Sequence, residues 1–137
     1  MKRFPATQDA PVLRTDFSDD AAWQAIRKEV LQPVDGFYAN VEFIDDPEFA
    51  DLSKDDLMRS IPRALRHSFM VVADKVSMTG EHSLLVVDLY TQPGREFRAE
   101  PSQIQGIENN LSIANMDFAE FADNCDPEGV FRGFPTF

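Results

Sequence analysis

The chain is short of several things, and each shortage closes off a class of function. One cysteine, Cys125, in 137 residues leaves no internal disulfide and no paired-cysteine redox motif, which suits a reducing cytoplasm. Two histidines, His67 and His82, stand in no zinc-ligand spacing with that cysteine. Six glycines are scattered, and "GREFR" holds no second one, so there is no Gly-rich loop to cradle a phosphate. Ser68 and Ser83 lack the strand–turn–helix setting of a nucleophile elbow. No apolar run approaches the ~20 residues of a membrane span. The opening "MKRFPATQDAPV" has basic residues with no apolar run behind them and does not read as a signal peptide. Basic residues are also scarce: 13 Lys+Arg against 24 Asp+Glu, a formal charge of −11. That field repels phosphate backbones and anionic lipid, which argues against nucleic acid and membrane. A basic protein partner, a metal cation or solubility alone are the readings the charge leaves.

Apolar material is not short. With 43% hydrophobic residues and 12 phenylalanines, a chain of this length buries roughly two-thirds of its unfolded surface and needs no staples. We expect one cytoplasmic domain over residues 11–137, preceded by an arm at 1–10 and ending in an aromatic tail, "VFRGFPTF". "VLRTDF" (12–17) alternates as a strand. Ser18 reads as the cap of a helix whose first turn carries Asp19 and Asp20. Ala22, Trp23, Ile26 and Val30 form its apolar stripe, and Pro33 closes it. "VEFIDD" (41–46) is a second strand. "SKDDLMRSI" is a second helix with a Ser53/Asp56 capping box, bent or ended by Pro62.

"SFMVVAD" (68–74) and "SLLVVDLY" (83–90) are near-continuous apolar runs, the mark of strands buried on both faces. "REFRAE" (95–100) alternates after a turn at Pro93-Gly94, and a last helix begins near Asp117. The order β-α-β-α-β-β-β-α predicts an α/β fold, a central mixed sheet flanked by helices, parallel first and antiparallel later.

The segments "VLRTDFSDDAAW", "VEFIDDPEF", "LLVVDLY", "PGREFR", "ENNLSIANMDFAEFAD" and "GVFRGF" together resemble a bacterial family of small acidic proteins known only as a domain of unknown function. The resemblance runs over about residues 11–134. It implies no activity, cofactor or catalytic residue.

Three constellations are candidates for chemistry. Aspartates stand at strand ends: Asp16, Asp45 with Asp46, Asp74 and Asp88. In parallel α/β sheets the carboxyl ends of the strands are the usual ligand site. Asp16 and Asp88 together would hold Mg²⁺ or another hard divalent cation, or serve as an acid/base pair. The structural alternative is caps and turns, with Asp88, which lies inside an apolar run, paired to Arg14. Arg59, Arg63 and Arg66 have i, i+4, i+7 spacing, which on one helix face would offer a docking patch for an anionic partner, or else a salt-bridged surface. In "ENNLSIANMDFAEFAD" (108–123), Asp117 and Glu120 fit a capping box with Met116 and Phe121 as its hydrophobic staple. Asn109, Asn110 and Asn115 then either wire a tight connection or hold a small polar ligand. Leu111 and Ile113 alternate and are expected to point into the core.

No catalytic motif stands out. The leading expectation is a non-catalytic binding or protein-interaction module with a basic partner. The alternative is a divalent-cation-dependent enzyme or small-ligand-binding domain built on the strand-end carboxylates, and a homodimer sharing its tail (Phe131, Phe134, Phe137) is a third.

Overall fold

The computed structural model describes residues 2–62 and 65–134. The chain runs β1 (Ala10–Arg14), α1 (Asp20–Leu31), β2 (Val41–Ile44), α2 (Lys54–Ser60), β3 (Phe69–Ala73), β4 (Leu84–Asp88), β5 (Glu96–Ala99), α3 (Ile104–Leu111), α4 (Phe118–Ala122) and β6 (Val130–Phe131). One six-stranded sheet has the order β2-β1-β3-β4-β5-β6. β1 lies parallel to β2 and β3, because a helix-bearing connection carries the chain back each time. The short links after β3 and β4 allow only reversal, so β3, β4 and β5 pair antiparallel. β6 is parallel to β5, with α3 and α4 in the crossover. The domain is α/β with a mixed sheet, as the element order predicts.

Side-chain alternation splits the core into two layers. Val12, Phe69, Val71, Leu84, Val86 and Phe97 face α1, α3 and α4, where Trp23, Ile26, Ile104 and Phe121 meet them. Leu13, Met70, Val72, Leu85 and Val87 face the other way, under Leu57 of α2, Phe49 and Phe4. Both faces of β3 and β4 are thus covered, which is why their sequences are apolar throughout. Phe4 is buried and its N–H donates to Ser60 O at 3.1 Å, so the amino-terminal segment is part of the second layer. At the far edge, Phe131 packs 5.2 Å from Phe121 and 5.0 Å from Phe134, ring centre to ring centre. Phe131 and Phe134 therefore close over the chain's own sheet; Pro135, Thr136 and Phe137 lie outside the described residues.

The caps follow the local chemistry, with one shift. The N-cap of α1 is Asp19, which accepts the Ala22 N–H at 3.0 Å. Ser18 is instead engaged by Asp16, which takes both its N–H and its hydroxyl. Ser53 and Asp56 form the expected capping box on α2, and Asp46 caps the 3-10 turn Pro47–Phe49. The Glu120 carboxylate accepts the Asp117 N–H at 3.0 Å at the start of α4.

Two elements escaped the sequence reading. α3 has Ile104, Ile107, Glu108 and Leu111 buried at helical spacing, but Gly106 and two asparagines lower its intrinsic helicity. β6 is two residues long and has no periodicity to detect. The helix places Ser112–Asn115 in a turn, so the alternation read for Leu111 and Ile113 does not exist: Leu111 is buried and Ile113 is 74% exposed.

Candidate functional site

Strand direction decides which of the acids meet. In the register of β3 with β4, Phe69 opposes Asp88, while Arg14 of β1 opposes Ala73. Asp88 therefore lies at the end where β3 begins, and Asp16, Asp45 and Asp74 lie at the end where the parallel strands finish. Four residues of rise put the two ends ~13 Å apart. Asp16 and Asp88 are thus held at opposite ends of the sheet, farther apart than two ligands of one ion stand. Among the described residues no group of three or more His, Cys, Asp or Glu side chains has metal-binding geometry.

Each strand-end acid has a local occupation. The Ser18 hydroxyl and N–H hold the Asp16 carboxyl below the usual carboxylate range. Hydrogen bonding from Lys2 does the same for Asp46. For Asp74, burial works to raise the pKa, but the Arg98 hydrogen bonds and charge, with Ser77, outweigh it and leave the carboxyl depressed. Arg98 grips Asp74 in a fork, Nη1 to Oδ1 at 2.9 Å and Nη2 to Oδ2 at 2.5 Å. Such a bidentate pair fixes orientation as well as charge.

Arg14 and Asp88 are not partners. The Arg14 guanidinium is buried, donating to Asp20 Oδ1 at 2.8 Å and to Asp16 O at 2.8 Å, and it stacks 4.4 Å over the Phe17 ring. Asp88 is 2% exposed and meets no cation within ion-pair distance among the described residues. Backbone donors solvate it instead: the N–H groups of Tyr90 and Thr91 reach Oδ1 at 2.9 and 3.2 Å, and that of Gln92 reaches Oδ2 at 2.8 Å. Converging N–H groups form an anion nest. Here the anion is the protein's own, and it folds the turn that presents Tyr90.

The arginine stripe is not assembled either. α2 stops at Ser60, two residues before Pro62, so Arg66 is off the helix. Arg59 pairs with Asp56 at i,i+3 on an exposed surface, and Arg63 lies outside the described residues.

What the fold does assemble is a cleft of about 1250 Å³ at the amino end of β1 and β3. Its walls are the turn after β4, the α1–β2 connection and the carboxyl-terminal half of α3. Asp88, Arg66, Asn109 and Asn110 all line it, so four separately noted residues converge here. Asn110 and Asn115 bond to each other at 2.8 Å and tie the reversal after α3. The left-handed residue of that reversal is Ala114, with φ of 55°. Asn109 donates to Tyr38 O at 2.9 Å and to Glu108 Oε1 at 2.8 Å, pinning the α1–β2 connection to α3.

Glu108 was missed as a site residue, although its place on the apolar stripe Ile104–Ile107–Leu111 was a signal. It is 3% exposed and lines the cleft. Oε1 accepts the Asn40 N–H at 2.6 Å and the Asn109 amide. Phe37, Tyr90 and Ile113, 63%, 79% and 74% exposed, also line this cleft.

Residues 9–134 match the family described as a domain of unknown function (DUF6924). The chain belongs to this family. The match takes in the whole sheet of the DUF6924 chain, from β1 to β6, and all of the cleft lining but Gln8. No curated protein matches it. Among the described residues of this DUF6924 protein, no helix is long and apolar enough to cross a membrane.

Proposed function

We propose that the protein is a non-catalytic binding module whose cleft takes an extended segment of a basic protein partner. The observation that carries this reading is the gathering of Phe37, Tyr90 and Ile113, three of the most exposed large apolar side chains, around one cleft. Monomer surfaces scatter such side chains singly, and their grouping with polar residues between them is characteristic of an interaction site. The cleft is open to solvent rather than enclosed, a form that suits a length of chain better than a buried small molecule. The described lining holds one arginine, Arg66, against four acidic residues, Asp9, Asp88, Glu108 and Asp117. With a total charge of −11, the potential favours a cationic partner and speeds its approach.

Selection of displayed random peptides against the protein tests the reading. Enrichment of sequences combining Lys or Arg with apolar residues is expected. Their affinity should fall about tenfold or more when Phe37, Tyr90 and Ile113 are together changed to serine, with the melting temperature unchanged. Peptides that bind wild type and the triple variant equally would count against it.

A further inference from the structure

We infer that Glu108 is the anchor of the cleft and that it receives a cationic side chain, arginine before lysine, from the bound segment. The inference rests on the reading of the cleft as a binding site and names its chemistry. Glu108 is a buried carboxylate without a cation: among the described residues, no Lys, Arg or His lies within ion-pair distance of it. Burial of an unpaired charge is costly, and proteins otherwise pair such groups. The other buried ionised side chains have their partners, Arg14 in Asp20 and Asp45 and Asp88 in three backbone N–H groups. Glu108 is half provided for. Oε1 holds two donors, from Asn40 and Asn109. Oε2 takes no hydrogen bond from the described residues, and the side chain, 3% exposed, is part of the cleft lining.

The donors on Oε1 come from two different elements, so the carboxylate is locked in place before anything binds. Pre-organisation of that kind lowers the entropic cost of binding. The exposed side chains of Phe37 and Tyr90 line the same cleft. Ring faces attract cations, and a planar guanidinium stacks on them better than an ammonium does. A carboxylate oxygen with no hydrogen bond from the described residues, in a cleft that aromatic side chains also line, is a receptor for a single positive group, and the chain's net charge of −11 favours the approach of such a group.

The experiment is an NMR titration of ¹⁵N-labelled protein with the peptide acetyl-Phe-Arg-Phe-amide, and with its neutral counterpart in which citrulline replaces arginine. Glu108→Gln is the variant, since glutamine keeps an oxygen for Asn40 and Asn109 while placing an amide where Oε2 was. The arginine peptide is expected to shift resonances of residues 37–40, 88–92 and 105–114 saturably. It should bind wild type about tenfold more tightly than the citrulline peptide does, and Glu108→Gln should abolish that preference. Equal binding of the two peptides in the cleft of wild type overturns the anchor while leaving the cleft as a binding site. An arginine preference undiminished in Glu108→Gln overturns it as well. No saturable shift in the cleft with either peptide overturns both the anchor and the reading on which it rests.

Discussion

Replacing Asp88 by alanine strips three backbone N–H groups of their acceptor at once, those of Tyr90, Thr91 and Gln92. Hydrogen bonds to an ionised group contribute about 1.5–3 kcal/mol each when fully desolvated. This turn is partly open to water, which takes up some of the loss, so a total of roughly 3–4 kcal/mol is expected. Unfolding entropy near 2.1 cal/mol/K per residue makes each kcal/mol worth roughly 3–4 °C in a domain of 137 residues. Asp88→Ala should therefore melt about 10–14 °C below wild type. Asp88→Asn keeps Oδ1 for Tyr90 and Thr91 but turns an NH₂ toward Gln92, and should lose about half as much. Thermal unfolding followed by circular dichroism measures both. A double-mutant cycle with Arg14→Met then separates the nest from the ion pair suggested by sequence. The two sites share no contact, so their effects should add within about 0.5 kcal/mol. A drop of less than about 3 °C for Asp88→Ala, or strong coupling to Arg14, would refute the reasoning.

Breaking the Arg98–Asp74 fork with Arg98→Met should cost about 2 kcal/mol at neutral pH. Because the Asp74 carboxyl is depressed in the folded state, that stabilisation is present above the ordinary carboxylate pKa near ~4 and disappears as pH falls through the folded value. Urea unfolding from pH 7 down to 2 should show wild type and variant converging in acid; a gap that stays constant contradicts the assignment. Phe131→Ala, which opens a cavity beside Phe97 and Phe121, should lose about 3–5 kcal/mol in the same assay, against almost nothing if the tail were a loose appendage. Mg²⁺ should raise the melting temperature no further than NaCl of equal ionic strength, since Asp16 and Asp88 stand at opposite ends of the sheet. A specific ion at ~100 times its Kd would add about 2.7 kcal/mol, easily seen as a shift.

Local and short-range features were legible because their causes are local. The stripe Ala22, Trp23, Ile26, Val30 is the buried face of α1, and the Ser53/Asp56 box opens α2, since period and capping depend on residues within one or two turns. The apolar runs around Val71 and Val86 announced strands covered on both faces, which follows from alternation alone. The acidity and the lone cysteine were likewise properties of the chain itself.

Tertiary structure decided everything that depends on direction. Asp16 and Asp88 look alike in sequence, each an aspartate closing a strand. The antiparallel turn of β4 sends one to the carboxyl end of the parallel strands and the other to the amino end. The same reversal brings Asp88, Arg66, Asn109 and Glu108 to one cleft from three separate parts of the chain. Glu108 is the clearest case: in sequence it is a glutamate beside two asparagines, and only the meeting of α3 with the α1–β2 connection buries it and satisfies one oxygen, while the other takes no hydrogen bond from the described residues. Periodicity and caps are written in neighbouring residues, whereas the pairing of a buried charge is settled by whichever distant backbone the sheet topology brings beside it.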